Sequence, residues 1–105
     1  MTLQNLKEIP VLMTSSIGAV NGDPKTHNYI VDCLQRFYAG DYGEICEEDT
    51  AANNADLAAG CGHVLAKYKQ FGQLTGPIYI ESHFDDEFLN DINYTNTVIM
   101  YPDER

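Results

Sequence analysis

The chain has 105 residues and a formal net charge of −10, from 16 acidic and 6 basic side chains. That length fits one domain, and a hydrophobic fraction of 44% is too high for a disordered acidic tail. A field of this sign repels nucleic acid and anionic membranes and attracts basic surfaces, which argues against direct binding to nucleic acid or membrane. No apolar run approaches the roughly 20 residues that span a bilayer. We therefore predict one cytoplasmic domain covering residues 1–105.

The cysteines and the N-terminus agree with a cytoplasmic location. Cys33, Cys46 and Cys61 are odd in number and widely spaced. A disulfide framework or a zinc site would need more ligands in closer pairs, so we expect three free thiols. The segment Met1–Pro10 has no long apolar run and does not resemble a signal peptide.

The first half of the chain predicts a strand and a helix. β-branched and apolar residues indicate a strand over Val11–Ala19, ending at an Asn-Gly turn. Asp23 is a natural N-cap, and Pro24 fits the first helical position because its missing N–H costs nothing there. We expect this helix to continue to Gly40. Its apolar stripe consists of Tyr29, Ile30, Cys33, Leu34, Phe37 and Tyr38.

A second helix is predicted from Glu44 or Glu47 to Ala59. Acidic residues stand in its first turn, where the helix dipole favours negative charge. Its body is rich in alanine, so we expect it to pack closely against whatever it covers. Gly60 and Gly62 should end it.

The last third of the chain predicts three strands. They are expected at His63–Phe71, Pro77–Phe84 and Thr97–Tyr101, from alternating apolar residues. A polar excursion, Asp85–Asn96, separates the last two. The order strand, helix, helix, strand, strand, strand indicates an α+β fold with two helices on one face of a mainly antiparallel sheet.

The first candidate site is an acidic segment at a turn and helix start. Its carboxylates could dock against Arg and Lys side chains of a partner, with Tyr42 as an aromatic anchor. The alternative is that they only cap and solvate the helix start, and Asp41 can itself cap the turn. The acidic residues of this segment are Asp41, Glu44, Glu47, Glu48 and Asp49.

The second candidate site is the segment from His83 to Asp91. Phe84 and Phe88 stand among carboxylates there, and aromatic anchors supply much of the energy of protein interfaces. The alternative is that these aromatics are core residues that fold the loop back. A calcium site is not expected, because two acids are adjacent and no glycine provides the sharp turn. The acidic residues here are Asp85, Asp86, Glu87 and Asp91.

No recognisable pattern points to catalysis. His27, His63 and His83 lie far apart in sequence, outside any nucleophile or metal motif. Nothing in the spacing supports a thiol–imidazole pair between Cys46 and a histidine. We therefore predict a protein that is not an enzyme, with no cofactor and no bound metal.

The segment FYAGDYGEICEEDTAANNADLAAGCGHVLAKYK resembles a family of small plasmid-related proteins of bacteria and phages. The resemblance covers roughly residues 35–105 and continues through PIYIES to a final strand ending in Pro-Asp-Glu. The chain departs from the family pattern at Tyr42, where Trp is usual, and in a longer excursion, Asp85–Asn96. The positions that carry the pattern are Gly40, Asp41, Tyr42, Gly43, Glu47, Glu48, Asp49, Asn53, Gly60, Leu65 and Tyr68.

The resemblance implies a setting in mobile genetic elements of a bacterial host, and the family offers no established enzyme activity to carry over. Acidic proteins of such elements include anti-CRISPR and antirestriction inhibitors, some of which act as DNA mimics by presenting carboxylates in place of phosphates. Cas effectors hold guide and target in positively charged channels. The leading hypothesis is therefore an anti-CRISPR type inhibitor whose residues 41–49 and 85–91 contact a basic protein surface, such as that of a Cas effector. The alternative is a mobile-element accessory protein that binds another protein, or itself as a homodimer through a strand edge.

Overall fold

The computed structural model, which describes residues 1–105, contains four helices and four strands. The helices are α1 (Leu3–Leu6), α2 (Ser15–Val20), α3 (Pro24–Tyr38) and α4 (Glu47–Ala59). The strands are β1 (Val11–Met13), β2 (Cys61–Tyr68), β3 (Ile78–Asp85) and β4 (Asn96–Met100). Two single-turn 3-10 helices, Asp86–Phe88 and Pro102–Glu104, follow β3 and β4. None of the helices is long and apolar enough to cross a membrane.

The strands form one mixed sheet in the order β1-β4-β3-β2. The pairs β2–β3 and β3–β4 are antiparallel, whereas β1 runs parallel to β4. The predicted α+β class and mainly antiparallel sheet are confirmed, and the three C-terminal strands occur within three residues of their predicted bounds. Two short helices, α1 and α2, were not predicted.

The predicted strand Val11–Ala19 is wrong beyond Met13. Thr14 instead caps α2, because its hydroxyl accepts a hydrogen bond from the Ile17 N–H at 3.5 Å. Ile17 then turns into the core, where it is fully buried. Over so short an apolar segment, periodicity alone does not separate strand from helix. The Thr-Ser-Ser sequence before Ile17 was the local signal for a helix start.

Helix α3 forms as predicted. The Asp23 carboxylate accepts hydrogen bonds from the N–H and the hydroxyl of Thr26, at 3.0 and 2.7 Å. Pro24 occupies the first turn, and Gly40 follows the C-terminal end with a φ of 87°. The buried face of this helix consists of Thr26, Ile30, Cys33 and Phe37.

The hydrophobic core lies between one face of the sheet and helices α1, α2 and α3. Side chains alternate along a strand, and every strand residue in the core belongs to the same face. The helices contribute Leu6, Ile17, Ile30, Cys33 and Phe37. The strands contribute Val64, Ala66, Tyr68, Ile78, Ile80, Phe84 and Ile99. The buried hydroxyls of Ser82 and Thr97 bond to each other at 2.6 Å on this face, so neither is left unsatisfied.

Helix α4 lies along the outer edge of β2. Its only buried residue is Asn53, whose side-chain amide accepts from the Leu65 N–H at 3.0 Å and donates to the Leu65 carbonyl at 2.8 Å. The Asp56 carboxylate accepts from the His63 N–H at 2.9 Å. The prediction of close packing through the alanines is therefore wrong, since all of the helix's alanines are exposed. Polar bonds to the edge strand hold α4 in place, together with half-buried Leu57, which packs against the core.

The segment Tyr42–Glu44 closes the rest of the β2 edge. The Lys67 N–H donates to the Tyr42 carbonyl at 3.0 Å, and the Glu44 N–H donates to the Lys67 carbonyl at 2.7 Å. Together with α4, this segment satisfies the outward backbone groups of alternate β2 residues. An edge closed in this way cannot pair with another chain.

Candidate functional site

The Gly40–Gly43 turn is built around Asp41. The Arg36 Nε donates to Asp41 Oδ2 at 2.7 Å, and the Gly43 N–H donates to Asp41 Oδ1 at 3.1 Å. The bond from Arg36, and then that from Gly43, lower the pKa of Asp41. The predicted turn cap is confirmed, and the Asp41 carboxylate is occupied within the chain.

Tyr42 is a core residue, so its predicted role as an exposed anchor is wrong. Only 7% of it is exposed, and its ring meets that of Phe37 edge-on at 6.1 Å. Gly43 beside it has a φ of 70°, and a Cβ there would lie 2.0 Å from the Lys67 carbonyl oxygen. The aromatic-glycine pair therefore allows the chain to meet β2 closely.

Half of the 16 acidic side chains are engaged inside the molecule. They cap turns and helices or pair with basic groups, as Glu44 does with Lys69 at 3.5 Å. The engaged acids are Asp23, Asp41, Glu44, Asp56, Glu81, Asp85, Asp91 and Glu104. The carboxylates of the other eight make no hydrogen bond or ion pair within the chain. These eight are Glu8, Asp32, Glu47, Glu48, Asp49, Asp86, Glu87 and Asp103.

The excursion after β3 is held together by two of its own acids. Asp85 Oδ1 accepts from the Glu87 N–H at 2.9 Å, and Asp91 Oδ1 accepts from the Asn93 N–H at 3.0 Å. Asp85 and Asp91, both predicted to bind a partner, thus shape the loop. Asp86 and Glu87 are exposed on it and have no side-chain partner.

The aromatic residues of this excursion divide between core and surface. Phe84 is 2% exposed and belongs to the core, so its predicted anchor role is wrong. Phe88 is 41% exposed and stacks on Tyr94 at 4.7 Å between ring centroids. Leu89 and Ile92 are also exposed beside them. Tyr94 and Ile92 were not predicted to belong to the site, although both are apolar residues within a polar segment of the sequence.

The two acidic segments lie at opposite ends of α4. Glu47 begins the helix, whereas Asp86 meets its C-terminal end, where the Asp86 N–H donates to the Gly60 carbonyl at 3.0 Å. A helix of 13 residues is about 20 Å long. Glu8 lines a groove with Asp86 and Leu89 and adds a further free carboxylate at that end. We call the set of Glu8, Glu47, Glu48, Asp49, Asp86 and Glu87 the free carboxylates of α4.

A second polar cluster lies on the sheet face away from the core. Glu81, only 3% exposed, accepts hydrogen bonds from Arg105 Nη2 at 2.7 Å and Nε at 2.9 Å. Its other oxygen lies 2.8 Å from His83 Nε2. Burial alone would raise the Glu81 pKa, but the bonds from His83 and Arg105 outweigh it and the pKa is lowered. This cluster was not predicted because Arg105 is distant from Glu81 along the chain, although the strand alternation already placed Glu81 and His83 on one face.

Comparisons with known proteins gave no match: no family model, no curated protein and no solved structure matches this chain. The resemblance to plasmid-related proteins therefore stays a prediction. The residues that carry it have structural roles in this molecule, since Asp41 and Gly43 build the turn, Asn53 binds the β2 edge and Gly60 ends α4.

Proposed function

We propose that this protein is an acidic inhibitor, carried by a mobile element, that binds the basic surface of a nucleic-acid-directed defence protein such as a Cas effector. It would act by binding and not by catalysis. The observation that carries the proposal is the set of free carboxylates of α4, which no internal cation neutralises.

The charge distribution supports a basic partner. The two arginines are committed to Asp41 and Glu81, and Lys69 pairs with Glu44. A second surface carrying lysine and arginine would therefore be drawn to the free carboxylates of α4, which form no ion pair inside the chain.

The spacing of the carboxylates suits an extended basic channel. They occupy both ends of a helix about 20 Å long, and the exposed face between them carries small residues. Such a surface can follow a channel that normally holds a phosphate backbone without bulky side chains intervening. Cas effectors hold their heteroduplex in channels of this kind.

The exposed aromatic pair adds the apolar contact that a specific interface needs. Phe88 and Tyr94 stack on each other beside Leu89 and Ile92, and all four are more than 40% exposed. Hot spots of protein interfaces are enriched in such aromatic side chains. The pair would supply affinity that persists after salt has screened the carboxylates.

The first test is capture of purified Cas effectors, each loaded with guide RNA, by the immobilised protein at low salt and at roughly 0.5 M salt. We expect salt-sensitive capture of at least one effector and loss of its DNA cleavage. If no effector of a broad panel is captured at low salt, the proposal in this form is wrong.

Matched charge reversals test whether the free carboxylates of α4 make the contact. Glu48→Lys with Glu87→Lys changes one carboxylate at each end of α4. Asp32→Lys with Asp103→Lys makes the same change of net charge at two other exposed, unpartnered acids. We expect only the first double variant to lose inhibition, by at least about tenfold. Equal losses of inhibition in the two double variants would mean that binding depends on net charge alone and not on the free carboxylates of α4.

A second candidate function is self-association through β1, favoured by one observation. Val11, Leu12 and Met13 form the other edge of the sheet and are each about 40% exposed, with no segment covering them. Two copies could pair these edges. Analytical ultracentrifugation would show a concentration-dependent dimer that Leu12→Lys abolishes, and a monomer at all concentrations would reject this function.

A further inference from the structure

Two of the three histidines are neighbours on adjacent strands and lie on the same face of the sheet. His63 on β2 and His83 on β3 are directly paired in the antiparallel register. Their ring centroids are 6.0 Å apart, and each side chain is 48% exposed. They lie on the face away from the core, so solvent and small ions reach both rings.

A carboxylate stands beside one nitrogen of each ring. Ionised Glu81 can only accept a hydrogen bond, so His83 Nε2 must carry the proton and the lone pair of a neutral ring is on Nδ1. Asp56 Oδ2 lies 3.9 Å from His63 Nδ1, beyond hydrogen-bond distance, because it accepts the His63 backbone N–H instead, and both nitrogens of the His63 ring stay available to a ligand. A carboxylate that orients an imidazole through its second nitrogen, as Glu81 does for His83, is the usual outer partner of a histidine metal ligand.

The separation of the rings is close to that of a chelate. Imidazole nitrogen binds zinc at about 2.0–2.1 Å, which places the two ring centroids of a tetrahedral pair about 5 Å apart. The observed 6.0 Å exceeds this by a distance that side-chain rotation can close. The β2–β3 ladder holds the two backbones in register, so little chain entropy would be lost on binding.

We propose that His63 and His83 form a two-histidine chelate for a divalent transition-metal ion, of the group that imidazole favours: zinc, nickel or copper. No group of three or more histidine, cysteine or acidic side chains is arranged to hold a metal ion, so water would complete the coordination. The bound ion would connect β2 to β3. It would lie close to Asp56, which belongs to α4. This inference is independent of the proposed inhibitor function.

Isothermal titration of the tag-free protein with Ni²⁺ tests the proposal. We expect one ion per chain, and at least about tenfold weaker binding in His63→Ala and in His83→Ala. His27→Ala is the matched control, because His27 lies at the start of α3 and contacts Asn21. It should bind Ni²⁺ like the unmodified protein. Thermal melts without metal confirm that each variant folds, and Ni²⁺ should raise the melting temperature only where binding is retained.

The exposed thiol of Cys61 is a second group that could bind Ni²⁺, and a Cys61→Ser variant tests whether it does. Cys61→Ser should leave Ni²⁺ affinity within about threefold of the original, since the chelate uses imidazole alone. The proposal is overturned if the folded His63→Ala variant binds Ni²⁺ unchanged, if Cys61→Ser alone abolishes binding, or if the protein does not bind Ni²⁺.

Discussion

At the scale of single residues, a few polar side chains hold the molecule together where apolar packing is thin. Asn53 is the clearest case, because its amide replaces both partners that a neighbouring strand would offer Leu65. Glu81 is another, since a carboxylate this deeply buried is stable only with the two partners it has. Helical periodicity does not separate Asn53 from Asn54, and the contact with β2 shows which of the two is buried.

Replacing Asn53 with alanine should destabilise the protein by about 1–3 kcal/mol, because the N–H and carbonyl of Leu65 lose their partner. Asn54→Ala is the control, since Asn54 is exposed on the same helix and should change stability by less than about 0.5 kcal/mol. Urea unfolding of the two variants measures the difference. Equal effects would mean that the Asn53 bonds contribute nothing.

Glu81 should make stability depend on acid pH. Its pKa is lowered in the folded state, so its contribution is fully present above the unfolded value, about 4.3, and is lost as pH falls through the folded pKa. Glu81→Gln removes that titration. Urea midpoints between about pH 3 and 7 should therefore fall more steeply with acid in the original protein than in the variant. Parallel curves would contradict this assignment.

At the scale of elements, the two edges of the sheet are treated differently. Segment Tyr42–Glu44 and helix α4 cover the edge of β2, whereas the edge of β1 is open. Only the short length of β1, three residues, limits its pairing with another chain. The helix boundaries followed from local chemistry, namely Asp23 with Pro24 for α3 and Gly60 for α4. The position of α4 against the sheet could not be predicted in the same way, because an alanine-rich helix has no strong apolar stripe to show which side is buried.

Gly43→Ala should open the covered edge. Its φ of 70° and the 2.0 Å approach of a Cβ to the Lys67 carbonyl oxygen force the backbone away from β2, at a cost of at least about 2 kcal/mol. Gly18→Ala is the control, because Gly18 lies in α2 with no atom within 4 Å of an added Cβ. That change should be neutral or stabilising by up to about 1 kcal/mol. Thermal melts with light scattering would show instability and aggregation for Gly43→Ala alone.

At the scale of the whole molecule, the net charge of −10 is the dominant feature. Eight carboxylates without internal partners repel one another, and three lysines and arginines out of six are already paired with acids. The folded state gathers these charges more closely than the unfolded chain does. This excess of negative charge favours solubility, but it lowers the free energy of unfolding.

Added salt should therefore stabilise the fold. Raising NaCl from about 0.01 to 0.2 M shortens the screening length from about 30 Å to below 10 Å, which weakens repulsion among the carboxylates. The melting temperature should rise by a few degrees. The rise should be smaller in Glu48→Lys with Glu87→Lys, which lowers the net negative charge. A melting temperature that falls with salt would show that the internal ion pairs outweigh the repulsion.

The sequence by itself determined the fold class, helix α3, the bounds of α4, the three C-terminal strands and the acidic character of the surface. These depend on capping residues, alternation and composition, which act between residues close in the chain. Only the tertiary structure decided which carboxylates are free, that Tyr42 and Phe84 are buried while Phe88 is exposed, and that His63 meets His83. Those outcomes depend on strand register and on the competition for the β2 edge, which join residues distant in sequence.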